Sequence, residues 1–108
     1  LDQIRKSVET VGLSGKITYY IIYDEDGLAV GVGCLTNYDQ IGYISNLATL
    51  SRVRGQGYGK ALTNYLVEKS INTGNKTHCL ATVLGSEADK FYRHLGFEEM
   101  MRAKYYTK

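Results

Sequence analysis

The sequence predicts one α/β domain, in which a mixed, mostly antiparallel central sheet is flanked by helices. Its 108 residues are enough for a single hydrophobic core. Runs of β-branched and aromatic residues, separated by turn residues, fill much of the first half and favour strands. A helical pattern over Tyr58–Thr73 then separates one strand from the next, which allows those two strands to lie parallel.

The chain opens with apolar residues at helical spacing. Leu1, Ile4, Val8 and Val11 recur every three or four positions, and Gly12 follows as a stop. This pattern predicts a short amphipathic helix. A start at leucine instead of methionine is consistent with a fragment or a trimmed product.

Three predicted strands follow as an antiparallel meander. They span Ile17–Tyr23, Leu28–Thr36 and Ile41–Leu50, and an Asp-Gly turn joins the first two. One face of the second strand carries three small residues, which leave room for a packed helix: Ala29, Gly31 and Gly33.

The second half is predicted to alternate helix and strand. Its elements are the helix Tyr58–Thr73, the strand Thr77–Leu84, a helix that begins at Ser86 and closes at Gly96, and a last strand, Phe97–Tyr106. Asp89 stands three residues after Ser86, as in a variant of the capping box.

A glycine-rich turn lies between the third strand and the long helix. Its residues are Arg54, Gly55, Gln56, Gly57, Tyr58, Gly59 and Lys60, with Arg52 just before them. Bare backbone at a helix N-terminus presents unpaired N–H groups, here expected to be those of Gln56 to Lys60, to an anion with several oxygens, such as a pyrophosphate. A tight turn without a ligand is the alternative. The turn is not a nucleotide-binding P-loop, because Ala61 follows Lys60, and its glycine spacing does not suit a dinucleotide fold.

Composition limits the other possibilities. A net charge of +2 and a pI near 8.5 give no reason to expect nucleic acid or an anionic membrane as a partner. The sequence shows neither a transmembrane run nor a signal peptide, so we expect a soluble, cytoplasmic protein. Cys34 and Cys79 lack metal-ligand spacing. They are expected to be reduced core residues, with a disulfide as the alternative, and no metal site is predicted.

Two motifs carry a resemblance to a known family. Arg54–Gly59 resembles the Arg/Gln-x-x-Gly-x-Gly/Ala signature of the GCN5-related N-acetyltransferases (GNAT), and Phe91–Phe97 resembles the closing helix of that family. The resemblance covers roughly residues 17–106. It implies acetyl-coenzyme A as cofactor and direct transfer of the acetyl group to a primary amine of a small molecule or peptide.

The resemblance also implies roles for particular residues. Tyr92 matches the tyrosine that protonates the coenzyme A sulfur, and the backbone of Leu47, Ala48 and Thr49 matches a β-bulge that faces the thioester and pantetheine. The family often has an asparagine seven residues before the tyrosine, where this chain has Gly85. That contact is therefore either absent or made by Ser86.

No general base is assigned. The family often places a carboxylate on the third strand, but Ile44–Leu47 contains none. Ser45 and Asn46 are candidates to hold a water. His78 is expected to be a surface strand residue, and His94 is expected at a helix C-terminus.

The chain also departs from the family at its beginning. The usual first strand and helix are missing before the region where Leu1 begins, which would leave the Ile17–Tyr23 strand unpaired at the sheet edge. A homodimer would cover that edge. Two alternatives to the acetyltransferase remain open: a non-catalytic acyl-coenzyme A-binding or interaction module, and an acyltransferase that uses a different acyl group.

Overall fold

The computed structural model describes residues 3–12 and 15–101. Within these residues, five strands form one sheet in the order β1-β2-β3-β4-β5, and two α-helices accompany it. The elements are β1 (Ile4–Gly12), β2 (Gly15–Tyr23), β3 (Ala29–Tyr38), β4 (Ile41–Thr49), α1 (Tyr58–Thr73), β5 (Thr77–Leu80) and α2 (Glu87–His94). The first four strands are antiparallel and β5 runs parallel to β4, so the predicted fold class is confirmed.

The first element is a strand, so the predicted N-terminal helix is wrong. β1 pairs with β2 from Ile4 opposite Ile22 to Gly12 opposite Gly15. The apolar residues at helical spacing include several β-branched ones, which also suit a strand. The segment forms a strand instead of a helix because it pairs with β2. Such pairing cannot be recognised from the residues of the segment alone. Leu1 lies outside the described residues.

The predicted open edge at the second strand is also wrong. β2 lies between β1 and β3, and Nζ of Lys16 on β2 stands 3.2 Å from Oε1 of Glu9 on β1. This pairing removes the reason to expect a homodimer that covers β2.

The small-residue face of β3 receives helix α1, as predicted. A Cβ built on Gly33 would lie 2.8 Å from the side chains of both Leu47 and Leu66, so only glycine fits there. Leu62 and Leu66 are fully buried against the sheet. With Ile22, Leu35 and other apolar residues they form the core between α1 and one face of the sheet.

Helix α1 has the boundaries that the sequence predicts. It begins after Gly57, whose φ is 90°, and ends at Gly74, whose φ is 99°. Both glycines adopt the left-handed conformation that residues with a side chain reach only at a cost. No helix of the described chain is both long and apolar enough to cross a membrane.

A buried polar network fastens the far end of α1 to the sheet. Ser70 is completely buried, and its Oγ lies 2.5 Å from Nδ1 of His78 on β5 and accepts a hydrogen bond of 3.0 Å from Nδ2 of Asn75. Asn75 also donates to Oδ1 of Asn37 at 2.5 Å. Gly42 lies directly beneath Ser70 and leaves no room for a Cβ. His78 is therefore part of this network and not a surface residue.

The last elements agree with the sequence in part. Ser86 caps α2, as predicted, because its Oγ accepts a hydrogen bond of 3.1 Å from the Asp89 amide. β5 ends at Leu80, four residues earlier than predicted. Of the predicted last strand, residues 97–101 are not part of the described sheet and the remainder lies outside the described residues. Cys34 and Cys79 are free thiols.

Candidate functional site

The glycine-rich turn places the start of α1 at the end of β4. A short 3-10 turn, Ser51–Val53, follows β4, and the chain then reaches Gly55 and Gly57 with φ of 81° and 90°. A Cβ at either glycine would meet no atom of the described chain within 4 Å. These glycines therefore provide an unusual backbone conformation on an open surface, with no side chain above the peptide groups.

Four consecutive amides at this turn have no hydrogen-bond acceptor among the described residues. The first hydrogen bond of α1 runs from the Ala61 amide to the Gly57 carbonyl at 3.0 Å, and no side chain caps the helix. Within the part of the chain that is described, the amides of residues 57–60 accordingly have no acceptor. The Gln56 amide differs, because it donates to the Val53 carbonyl at 3.3 Å. We call the amides of Gly57–Lys60 the amide cradle.

Two of the three nearby cations remain free. Arg54 and Lys60 are exposed, and neither has a carboxylate partner in the described ranges. Arg52 is different, since its Nη2 lies 3.4 Å from Oδ2 of Asp24. The positive end of the helix dipole and the two free side chains make the amide cradle attractive to an anion.

Asp24 is a turn cap and not a free base. Its Oδ1 accepts hydrogen bonds of 2.9 Å from the amides of Leu28 and Asp26. The Leu28 amide, followed by the Asp26 amide and Arg52, lowers the pKa of this carboxyl below its ordinary value. Asp24 therefore holds the β2–β3 hairpin and stays ionised. A sequence signal for this role exists, because aspartate side chains in turns commonly accept a hydrogen bond from the amide two residues later.

Strand β4 contains the predicted bulge. Ala48 pairs with Val32, whereas Ser45 pairs with Cys34, so β4 has one residue more than β3 over this stretch. Asn46 has a φ of 54°. The bulge thus falls at Asn46 and Leu47, and it overlaps the segment Leu47–Thr49, named from the sequence, at Leu47.

The bulge coincides with the place where β4 and β5 part. The last pair between the two strands joins Ile44 to Leu80. In the described sheet, residues 45–49 of β4 have no strand beside them on that side. We call this unpaired end of β4 the opening, and the turn that carries the amide cradle follows it directly in the chain.

Helix α2 brings Tyr92 to the same end of the sheet. The ring of Phe91, its neighbour, reaches the start of α1: a Cβ built on Gly59 would lie 3.7 Å from Cζ of Phe91 and 4.0 Å from Cγ2 of Thr49. Tyr92 is half-buried and packs edge to face against Phe97 at 5.8 Å between ring centroids. Burial raises the pKa of the Tyr92 hydroxyl above 10.0.

The remaining candidates are accounted for by contacts within the fold. The Ser86 hydroxyl is used as the cap of α2, and the Gly85 amide donates to Oδ2 of Asp89 at 2.8 Å. His94 is exposed at the end of α2, as predicted, and His78 belongs to the network around Ser70. Ser45 and Asn46 lie at the bulge, and no carboxylate joins them in β4.

Comparison with known proteins identifies this arrangement. The family model described as an acetyltransferase (GNAT) domain matches residues 15–99. A search of curated proteins found no match. Among solved structures, an acetyltransferase from Trypanosoma brucei is similar, with 27% sequence identity, a TM-score of 0.70 and coverage of 85% of this chain and 69% of that chain.

Two further structures share the fold at lower identity. A glucosamine-6-phosphate N-acetyltransferase from Arabidopsis thaliana has 21% identity and a TM-score of 0.67, over 84% of this chain and 67% of its own. The aminoglycoside-modifying protein AAC(6')-Iy, in complex with the bisubstrate analogue CoA-S-monomethyl-acetylneamine, has 20% identity and a TM-score of 0.74, over 85% and 69%. The family match contains every element from β2 to α2. The chain therefore belongs to the GNAT acetyltransferase family.

Proposed function

We propose that this protein is an N-acetyltransferase that moves the acetyl group of acetyl-coenzyme A directly to a primary amine of a small molecule or peptide. The observation that carries the proposal is the amide cradle, which lies beside the opening between β4 and β5. The family implies acyl transfer, and the structure of AAC(6')-Iy with coenzyme A supports this cofactor.

The residues present fit a diphosphate. Four unpaired amides at residues 57–60 offer donors, and Arg54 and Lys60 offer charge. Hydrogen bonds from amides to an ionised group are stronger than those between neutral groups. Gln56 contributes through its place in the turn, because its amide is already bound to Val53. Gly55 and Tyr58 complete the set that we assign to cofactor binding.

The opening beside β4 fits the rest of the cofactor. The backbone of Leu47, Ala48 and Thr49, in which alternate amides face away from β3, is the part of the chain that we assign to the thioester oxygen and the pantetheine chain. A donor aimed where negative charge develops on the oxygen lowers the barrier to acyl transfer. Acetyl-coenzyme A would supply the acetyl group and a thiolate that leaves.

Tyr92 is the residue we assign to protonate that thiolate. A hydroxyl whose pKa lies above 10.0 keeps its proton throughout the neutral range, so it is available as a donor. Because the raised pKa favours the protonated form, donation is lost only as the pH rises through the pKa of Tyr92. With no carboxylate at the bulge, we expect the acceptor amine to arrive in its neutral form.

Known structures of the same fold support a small-molecule acceptor. Two of them are named for the acetylation of aminoglycosides and of glucosamine 6-phosphate. Both substrates are amines on sugars, so aminosugars are the first compounds to test, followed by peptides with a free amine.

The test is thiol release from acetyl-, propionyl- and succinyl-coenzyme A in the presence of an amine panel. We expect turnover with the acetyl donor, and the Tyr92→Phe variant should lose about 100-fold in kcat. Tyr38→Phe is the matched control, since this tyrosine is 62% exposed on the sheet, and it should keep full activity. Tight binding of acetyl-coenzyme A without release of thiol would favour the non-catalytic module. Faster thiol release from propionyl- or succinyl-coenzyme A would show that the protein transfers that acyl group instead of acetyl.

A further inference from the structure

Phe91 connects two parts of the proposed site. It belongs to α2, and the tip of its ring lies close to the bare backbone of Gly59 in the amide cradle, where an added Cβ would stand 3.7 Å from its Cζ. Because Tyr92 is the next residue in the chain, the contact of Phe91 with Gly59 bears on where the Tyr92 side chain lies.

Helix α2 has little other support from the core. None of its residues is buried. Two of its contacts reach only the segment that follows it: the Tyr92 ring packs on Phe97, and Nη2 of Arg93 lies 3.8 Å from Oε2 of Glu99. Phe91, by contrast, reaches the start of α1 from this helix.

The rings of Phe91 and Tyr92 also touch each other. Their centroids are 5.2 Å apart at an interplanar angle of 62°, which is a favourable edge-to-face geometry. Any movement of Phe91 away from Gly59 would therefore displace the Tyr92 ring. Displacement of a reacting group by about 1 Å can cost 100-fold in rate.

We propose that Phe91 is a positioning residue, which holds the Tyr92 hydroxyl at the site by seating its own ring on Gly59. The catalytic part of this proposal rests on the proposed function. A glycine at the second position of α1 then serves two purposes, since it leaves its amide open to an anion and gives Phe91 a flat surface.

The first experiment is independent of activity. Tyrosine labelled with carbon-13 at Cζ is followed by NMR during a pH titration, and the signal of Tyr92 is identified by its loss in Tyr92→Phe. In Phe91→Ala the pKa of Tyr92 should fall toward 10.0, because the hydroxyl becomes more exposed to water. Phe91→Leu, which keeps an apolar contact, should give a smaller shift in the same direction.

The matched control is Val83→Ala. Val83 is 73% exposed in the segment before α2, so its truncation should leave the titration of Tyr92 unchanged. A Tyr92 pKa that is equally high in Phe91→Ala, Phe91→Leu and the parent protein would overturn the proposal.

The second experiment is a double-mutant cycle on kcat. Phe91→Ala should lower kcat by about 10-fold or more, with little change in the affinity for acetyl-coenzyme A. If Phe91 acts through Tyr92, the same substitution in a Tyr92→Phe background should have no further effect. Equal losses in both backgrounds would refute the positioning role. A parent protein that releases no thiol, in which the pKa shift is nevertheless seen, would reject the enzyme and support the placement of Tyr92 by Phe91.

Discussion

Removal of the Ser70 hydroxyl tests whether the buried network fastens α1 to the sheet. Ser70 is 0% exposed, and its Oγ has two partners, Nδ1 of His78 and Nδ2 of Asn75. In Ser70→Ala, Asn75 keeps its hydrogen bond to Asn37, whereas Nδ1 of His78 loses the partner that the structure gives it. A lost hydrogen bond with a partner left unsatisfied costs about 2 kcal/mol, which corresponds to a fall in Tm of about 10 °C for a domain of this size.

Urea denaturation followed by circular dichroism measures this change. The matched control is Thr73→Ala on the same helix, where an exposed hydroxyl donates to the Lys69 carbonyl at 2.8 Å and its removal should change stability by less than about 0.5 kcal/mol. The folded variant should bind coenzyme A normally, because Ser70 lies about 15 Å along α1 from Lys60. A loss no larger than that of Thr73→Ala would refute the role of the network.

Two other perturbations have definite expected outcomes. The Gly85 amide, followed by further hydrogen bonds, lowers the pKa of Asp89 below its ordinary 3.8, so the stability from this carboxylate is present at neutral pH and disappears as the pH falls from about 4 through that lowered value. In Asp89→Asn the Tm should therefore fall less steeply as the pH is lowered. Thermal unfolding between pH 2 and 7 measures this, and an equally steep fall of Tm in the variant and the parent protein would show that the carboxylate contributes nothing. Gly42→Ala should lower the free energy of unfolding by about 1–3 kcal/mol, because the added Cβ would collide with Ser70. This loss should be smaller in the Ser70→Ala background, and additive losses would contradict the close contact.

Helix α1 was predictable because its boundaries are local. Gly57 and Gly74 stand at its two ends, and each adopts the left-handed conformation in which glycine is favoured. The cap of α2 was predictable for the same reason, since Ser86 and Asp89 are three residues apart. The glycine-rich turn could be read as an anion site because bare backbone before a helix has consequences that require no knowledge of the rest of the fold.

The features that the sequence did not reveal depend on distant partners. The sequence predicts a helix at β1, whereas the strand forms because this segment pairs with β2. Ser70 and His78 meet only after α1 has packed on the sheet. Likewise, the contact of Phe91 with Gly59 joins residues 32 positions apart, and no pattern in either segment indicates it.

Titration of the chain with acetyl-coenzyme A in a calorimeter, in parallel with two glutamate variants, decides whether the amide cradle holds a diphosphate. Gly57→Glu and Gly74→Glu place the same side chain at opposite ends of α1, in left-handed positions where a Cβ meets no described atom within 4 Å. Both variants pay a similar conformational cost, but only the first puts a carboxylate at the cradle. We predict that Gly57→Glu weakens binding at least about 100-fold while Gly74→Glu binds like the parent protein. Equal affinities for the parent and Gly57→Glu would contradict the assignment of the cradle.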